Sequence, residues 1–168
     1  YLGLGLVYYH KGQLEQAVQI GTMALDALEK RGDERGVARA LNNLGIIQGQ
    51  QGEWEAAIGY HRRGLDILAG LDDNYDLATA HNNIGLALHR SGNTGEAIGH
   101  FQQSLDLFER IGNPHGLARA CDNLSRAYLE IGEEEESRKY LERAVTLLAE
   151  ISMDGAEIRP EMWRSGAW

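Results

Sequence analysis

Apolar residues along this chain recur at the three- and four-residue steps of amphipathic helices, and the blocks they form come back at a fixed interval. Leu41 and Leu44, with Gly45 and Gln48, mark one such stripe; Leu25 and Leu28, or Leu65 and Leu68, mark the stripes of the segments that follow. The blocks are separated by Gly12, Gly52, Gly92 and Gly132, each 40 residues after the last. Each of these glycines ends one helical stretch and precedes another, where a positive φ is needed and glycine supplies it without steric cost. A second kind of boundary is written by Asp33, Asp73 and Asn113, also one period apart and all good helix N-caps. Pro114 follows Asn113 at the first helical position, where its missing N–H costs nothing. The pattern predicts first helices at about 34–50, 74–91 and 114–131, and second helices at about 13–31, 53–70, 93–111 and 133–151. Residues 1–11 read as the back half of an earlier first helix, since Gly5 corresponds to Gly45.

The repeat is visible letter by letter in "RALNNLG" at 39–45, "TAHNNIG" at 79–85 and "RACDNLS" at 119–125. Small residues recur at two more points of the period: Gly5, Gly45, Gly85 and Ser125 in the first helices, and Ala17, Ala57, Ala97 and Ser137 in the second. Small side chains facing each other let two helix backbones approach closely, a packing reason for glycines that cost about 1 kcal/mol each inside a helix. Each period is therefore a helical hairpin and the chain is all-α.

These residues resemble the tetratricopeptide repeat, whose signature runs large–x–x–Leu–Gly–x–x–Tyr, then alanine and an aromatic four residues later. Tyr1, Leu4, Gly5 and Tyr8 match it in full; Leu41, Leu44, Gly45 and Gln48, His81, Ile84, Gly85 and Leu88, and Cys121, Leu124, Ser125 and Tyr128 match in part. In the second helices Ala97 and Phe101 fit best, while Gly21 and His61 stand in place of the aromatic. Two features depart from the common form. The period is 40 residues, against about 34 in the usual repeat, and the proline that closes the second helix is replaced by Glu29, Ala69 and Glu109. Long repeats with an Asn-Leu-Gly core and the lead-in Gly32-Asp33-Glu34-Arg35-Gly36-Val37-Ala38-Arg39-Ala40 are similar to those of kinesin light chains, Pins-type polarity adaptors and large bacterial regulators; in the bacterial regulators such arrays follow DNA-binding and nucleotide-binding domains. The fold implied is a right-handed superhelix, or solenoid, of antiparallel helical hairpins over residues 1–151, followed by a cap or tail at 152–168. In the tail, Arg159 and Ser165 align loosely with Arg119 and Ser125, Pro160 interrupts the pattern, and Trp163 and Trp168 suit a cap on the last apolar face.

The resemblance implies that first helices line a concave groove, with Asn43, Asn83 and Asn123 facing it to hydrogen-bond the backbone of a peptide ligand. An amide offers both donors and an acceptor to a peptide unit. On helical geometry the same face carries Arg39, Asn42, Ile46 and Gln50, then Thr79, Asn82, Leu86, His89 and Arg90, then Arg119, Asp122 and Arg126. Four arginines against one aspartate make a basic stripe, which favours a peptide with acidic side chains or a free carboxylate. The alternatives are that the arginines pair with neighbouring acids on a solvated face, and that the asparagines bridge adjacent helices.

Composition narrows the partners. The formal charge of −9 argues against direct nucleic-acid binding by this segment. With no long apolar run and no leader at the start, the sequence is read as cytoplasmic, and the single cysteine, Cys121, excludes an internal disulfide. Six histidines form no i, i+4 pair, so no metal or other cofactor is expected; His61 and His81 are read as packing residues with a polar edge. No catalytic motif is present, and the expected function is a non-enzymatic scaffold binding a protein or peptide. The alternative is a sensory or autoinhibitory array within a larger bacterial regulator, its ligand another domain of the same chain. Self-association through the terminal repeats is a third outcome.

Overall fold

The computed structural model describes residues 2–71 and 73–152. Eight α-helices account for almost all of them: α1 (Leu2–His10), α2 (Leu14–Lys30), α3 (Glu34–Gln50), α4 (Trp54–Leu68), α5 (Asn74–Arg90), α6 (Thr94–Arg110), α7 (Pro114–Glu130) and α8 (Glu134–Ser152). The two kinds of boundary are built as the sequence implies. Asp33, Asp73 and Asn113 each accept a hydrogen bond from the backbone N–H three residues on, at Gly36, Asp76 and Gly116. Pro114 occupies the first turn of α7. Gly12, Gly52, Gly92 and Gly132 adopt φ of 72–87°, turning the chain from each first helix into the second. Gly32 and Gly112 do the same at the other boundary, with φ of 66° and 64°. Helix α4 stops at Leu68, two residues before the expected end, because the chain tightens into three-residue turns from Gly70 to Ile67 and from Leu71 to Leu68. The expected cap around Trp163 and Trp168, with Arg159, Pro160 and Ser165, lies outside the described residues.

Consecutive helices pack on each other throughout, and α1, α3, α5 and α7 also touch in series. The second helices make no such backbone approach to one another. First helices therefore form the tight inner side of a solenoid and second helices its outer side. The outer helices are spanned by long charged side chains: Arg63 to Glu29 at 3.4 Å, Arg62 to Glu96 at 2.6 Å, and Arg143 to Glu109. Glu29 and Glu109 stand where the common repeat has its proline, and here they tie neighbouring repeats together.

The core is continuous through the middle and C-terminal repeats, where Ile84, Leu88, Phe101, Leu105, Cys121 and Leu124 pack with Ala57, Ala97 and Ala120. Glycine makes room for rings in this core. A Cβ on Gly85 would lie 2.6 Å from the Phe101 ring, and one on Gly45 would lie 2.6 Å from the His61 ring. The close backbone approach expected at these points thus becomes ring-on-glycine packing in two repeats. At Gly5 a Cβ would sit 3.8 Å from the carbonyl oxygen of Ala17, and there the backbones do come together. In the last hairpin Ser125 and Ser137 hydrogen-bond at 3.2 Å across the same gap.

Candidate functional site

Two pockets lie on the first-helix side. One, of about 280 Å³, is walled by Ala38, Arg39, Asn42 and Asn43 of α3 and by Asp76, Thr79 and Ala80 of α5, and floored by His61, Gly64 and Leu68 of α4. The other, of about 360 Å³, is lined by Leu86, His89 and Arg90 of α5 and by Asn123, Arg126 and Glu130 of α7. The expected groove residues Arg39, Asn42 and Asn43 thus share the first pocket, and Leu86, His89, Arg90, Asn123 and Arg126 share the second. Ile46 is half-buried and lines neither, and Arg119 is exposed with its guanidinium 5.8 Å from the centre of the Phe108 ring.

The asparagines form a series of struts. Asn83 donates to Asn42 Oδ1 at 2.8 Å, and Asn123 donates to Asn82 Oδ1 at 2.9 Å. Each bond runs from one first helix to the next, so part of the amide capacity assigned to a ligand is spent on holding repeats in register. Asn82 is only 1% exposed and lines neither pocket, which corrects its expected place on the groove surface. It sits in the seam between α5 and α7 because its oxygen is the acceptor of the second strut.

The charge of the face is also different from the expected stripe. Arg39 lies 3.6 Å from Asp76, Arg126 lies 2.9 Å from Asp122, and His89 lies 3.2 Å from Glu130. Asp76 and Glu130 belong to the same surface as the arginines, and the count of one acid missed them. Burial raises the pKa of Asp122, and the adjacent Arg126 opposes that shift. The face is close to balanced rather than basic.

Four buried or half-buried groups complete its electrostatics. His61 is 3% exposed, its Nδ1 has no hydrogen-bond partner, and burial lowers its pKa to about 4. His81 meets His100 across the α5–α6 hairpin with Nδ1 atoms 3.0 Å apart, and burial followed by repulsion from His100 lowers its pKa to about 4 as well. Both histidines are therefore neutral at pH 7, packing residues with a polar edge as expected. The His81–His100 contact had no signal in local spacing, because the two residues are brought together by the hairpin. Cys121 is fully buried and its thiol is pushed up to about 11, which leaves it a poor nucleophile. Among the described residues no group of three or more histidine, cysteine, aspartate or glutamate side chains is placed to share a metal ion. No helix among them is long and apolar enough to cross a membrane.

The family model of the tetratricopeptide repeat matches residues 1–69 and 76–150. The chain belongs to the tetratricopeptide repeat family. None of the curated proteins matches it in sequence. Among solved structures it is similar to BtubC from P. vanneervenii, with a TM-score of 0.82 and 24% identity over 94% of this chain and 64% of that one. It is similar also to a Rap protein complexed with Competence and Sporulation Factor, with a TM-score of 0.81 and 22% identity over 89% of this chain and 42% of that one. A third likeness is to the kinesin light chain-like TPR repeats of Podosopora anserina, with a TM-score of 0.72 and 17% identity over 89% of this chain and 74% of that one. The tetratricopeptide chain described here spans less than two thirds of the first two, and the likeness to all three is one of fold.

Proposed function

We propose that this tetratricopeptide array is a non-catalytic interaction scaffold that binds a peptide segment of a partner protein along the face formed by α3, α5 and α7. The observation that carries this reading is the pair of successive pockets between first helices, each mixing amide, charged and apolar lining. Recessed sites of that mixed chemistry fit a chain that offers backbone groups and side chains in turn. Asn43 and the exposed Arg90 supply the polar contacts, while Leu86 supplies apolar area. The fold neighbour solved with Competence and Sporulation Factor makes ligand binding by such an array a natural use of it. An acidic preference along the whole face is not part of the proposal, since Arg39 and Arg126 already face Asp76 and Asp122.

The test is selection of displayed random peptides on the full chain, followed by affinity measurements on the selected sequences. Arg90→Glu and Leu86→Glu, both at the second pocket of the groove face, should weaken binding about tenfold or more. Gln103→Glu on the outer side should leave it unchanged. Equal binding by all three variants would move the site away from this face.

A further inference from the structure

Three departures from the repeat meet at the first pocket. Where α3 and α7 carry Gly36 and Gly116, α5 carries Asp76. Where the neighbouring second helices carry Gly21 and Phe101, α4 carries His61. Where they carry Ala24 and Ser104, α4 carries Gly64. The glycines of α3 and α7 admit the side chain below them: a Cβ on Gly36 would lie 2.7 Å from Leu28, and one on Gly116 would lie 2.3 Å from Phe108. In the next repeat the equivalent floor is filled by Phe101, Ser104 and Phe108, all fully buried, with Ser104 donating to the Ala78 carbonyl at 2.8 Å. Around Asp76 the floor is His61, Gly64 and Leu68, and a pocket of about 280 Å³ remains.

Two polar atoms at that pocket are left without a partner. His61 Nδ1 and Asp76 Oδ2 are buried atoms with no hydrogen-bond partner. Arg39 Nε is 3.6 Å from Asp76 Oδ2, too long for a hydrogen bond, and its side chain is 62% exposed. Asn43 brings a third acceptor in its amide oxygen. With the His61 proton on Nε2, Nδ1 is an acceptor as Asp76 Oδ2 is, and buried acceptors left unmet are costly, so a ligand that carries donors gains by meeting them. Ala38, Leu68 and Ala80 give the same pocket an apolar lining suited to a methylene stem. The chain's net charge of −9 favours the approach of a cation over that of an anion.

From this geometry we infer that the pocket between α3, α4 and α5 takes one lysine side chain of the bound peptide, its ammonium donating to Asp76 Oδ2, His61 Nδ1 and the Asn43 amide oxygen. Three acceptors match the three N–H donors of an ammonium, whereas the five of a guanidinium would leave donors unmet. This assignment rests on the groove reading above and adds to it a residue preference at one point of the ligand.

The experiment is a titration of the full ¹⁵N-labelled chain with Nα-acetyl-lysine methylamide, with the norleucine and arginine analogues run in parallel. The His61 imidazole and Asn43 side-chain amide resonances are followed. Saturable shifts should come from the lysine analogue alone. Asp76→Asn should weaken them about tenfold, and Arg39→Gln, which removes a competing cation, should strengthen them. Asp76 also stands in the first turn of α5, so His61→Phe serves as the second variant: it copies the residue at the equivalent position of the next repeat and should abolish the response at Asn43 with the fold intact. No response to the lysine analogue, an equal response to norleucine or arginine, or weaker binding in Arg39→Gln would overturn the assignment. Selected peptides that need Arg90 but show no lysine preference would overturn it as well, and would leave the groove reading standing. If no peptide is selected the groove reading fails, and the lysine titration still decides the pocket by itself.

Discussion

The segment α3–α4–α5 and the segment α5–α6–α7 are built on the same backbone plan and closed in different ways. In the second, Phe101 and Phe108 reach under first-helix glycines and fill the space between repeats. In the first, a buried histidine, a glycine and a leucine stop short, and polar atoms face the gap. The difference shows that nearly identical units of a solenoid can be closed unequally: one repeat fills the space between first helices with rings, and its neighbour leaves a pocket with unpartnered polar atoms.

The sharpest way to break the comparison is to empty the filled side. Phe101→Ala should lower unfolding stability by about 3–5 kcal/mol, measured by urea denaturation, whereas His61→Phe should be tolerated because its ring would rest on Gly45 as Phe101 rests on Gly85. A His61→Phe loss as large as that of Phe101→Ala would mean that the two floors are not equivalent. Acid should then single out the histidine side. His61 takes its proton only near pH 4 when folded and near 6.5 when unfolded, so the unfolded chain binds more protons between those values. Stability should fall as pH drops from 6.5 towards 4, by on the order of 2–3 kcal/mol for His61, with His81 acting in the same direction. In the His61→Phe variant that part of the slope should vanish.

Smaller effects sharpen the picture. Asn123→Ala strips the donor from the buried Asn82 oxygen and should cost about 1–3 kcal/mol, more than Asn83→Ala, whose partner Asn42 is half-buried. Gly64→Ala should stabilise by up to about 1 kcal/mol through helix propensity, since a Cβ there meets the Ala38 carbonyl oxygen at an ordinary 3.4 Å. The same change at Gly85 would drive a Cβ to 2.6 Å from Phe101 and should destabilise. On the outer side, Arg63→Ala should change stability by about 0.5 kcal/mol or less, because its pair with Glu29 is exposed.

The fold was legible because its punctuation is local. N-caps at Asp33, Asp73 and Asn113 and positive φ at Gly12, Gly52, Gly92 and Gly132 act within a few residues, and a constant period multiplies each signal. The candidate site was legible only as a face. Helical geometry grouped Arg39 with Asn43 and Leu86 with Arg90, but it carried no information on what lies opposite. The struts join residues 41 apart, one more than the period, an offset that appears only once the helices are stacked. Asp76 escaped because each helix was read along its own axis, while the partner of Arg39 sits on the next first helix, α5. The column Gly36, Asp76, Gly116 held the clue: an acid in place of a glycine that admits its neighbour's side chain marks the repeat that stays open.

The spacing of the outer helices has a mechanical meaning. On the inner side, neighbouring helices are in contact and joined by buried or half-buried amide–amide hydrogen bonds that salt scarcely affects, alongside ion pairs such as Arg39–Asp76; on the outer side they lack that contact and are bridged largely by exposed ion pairs that salt weakens. The array is thus a leaf spring, stiff where ligands would lie and compliant along its back, and its curvature should relax with ionic strength before any helix melts.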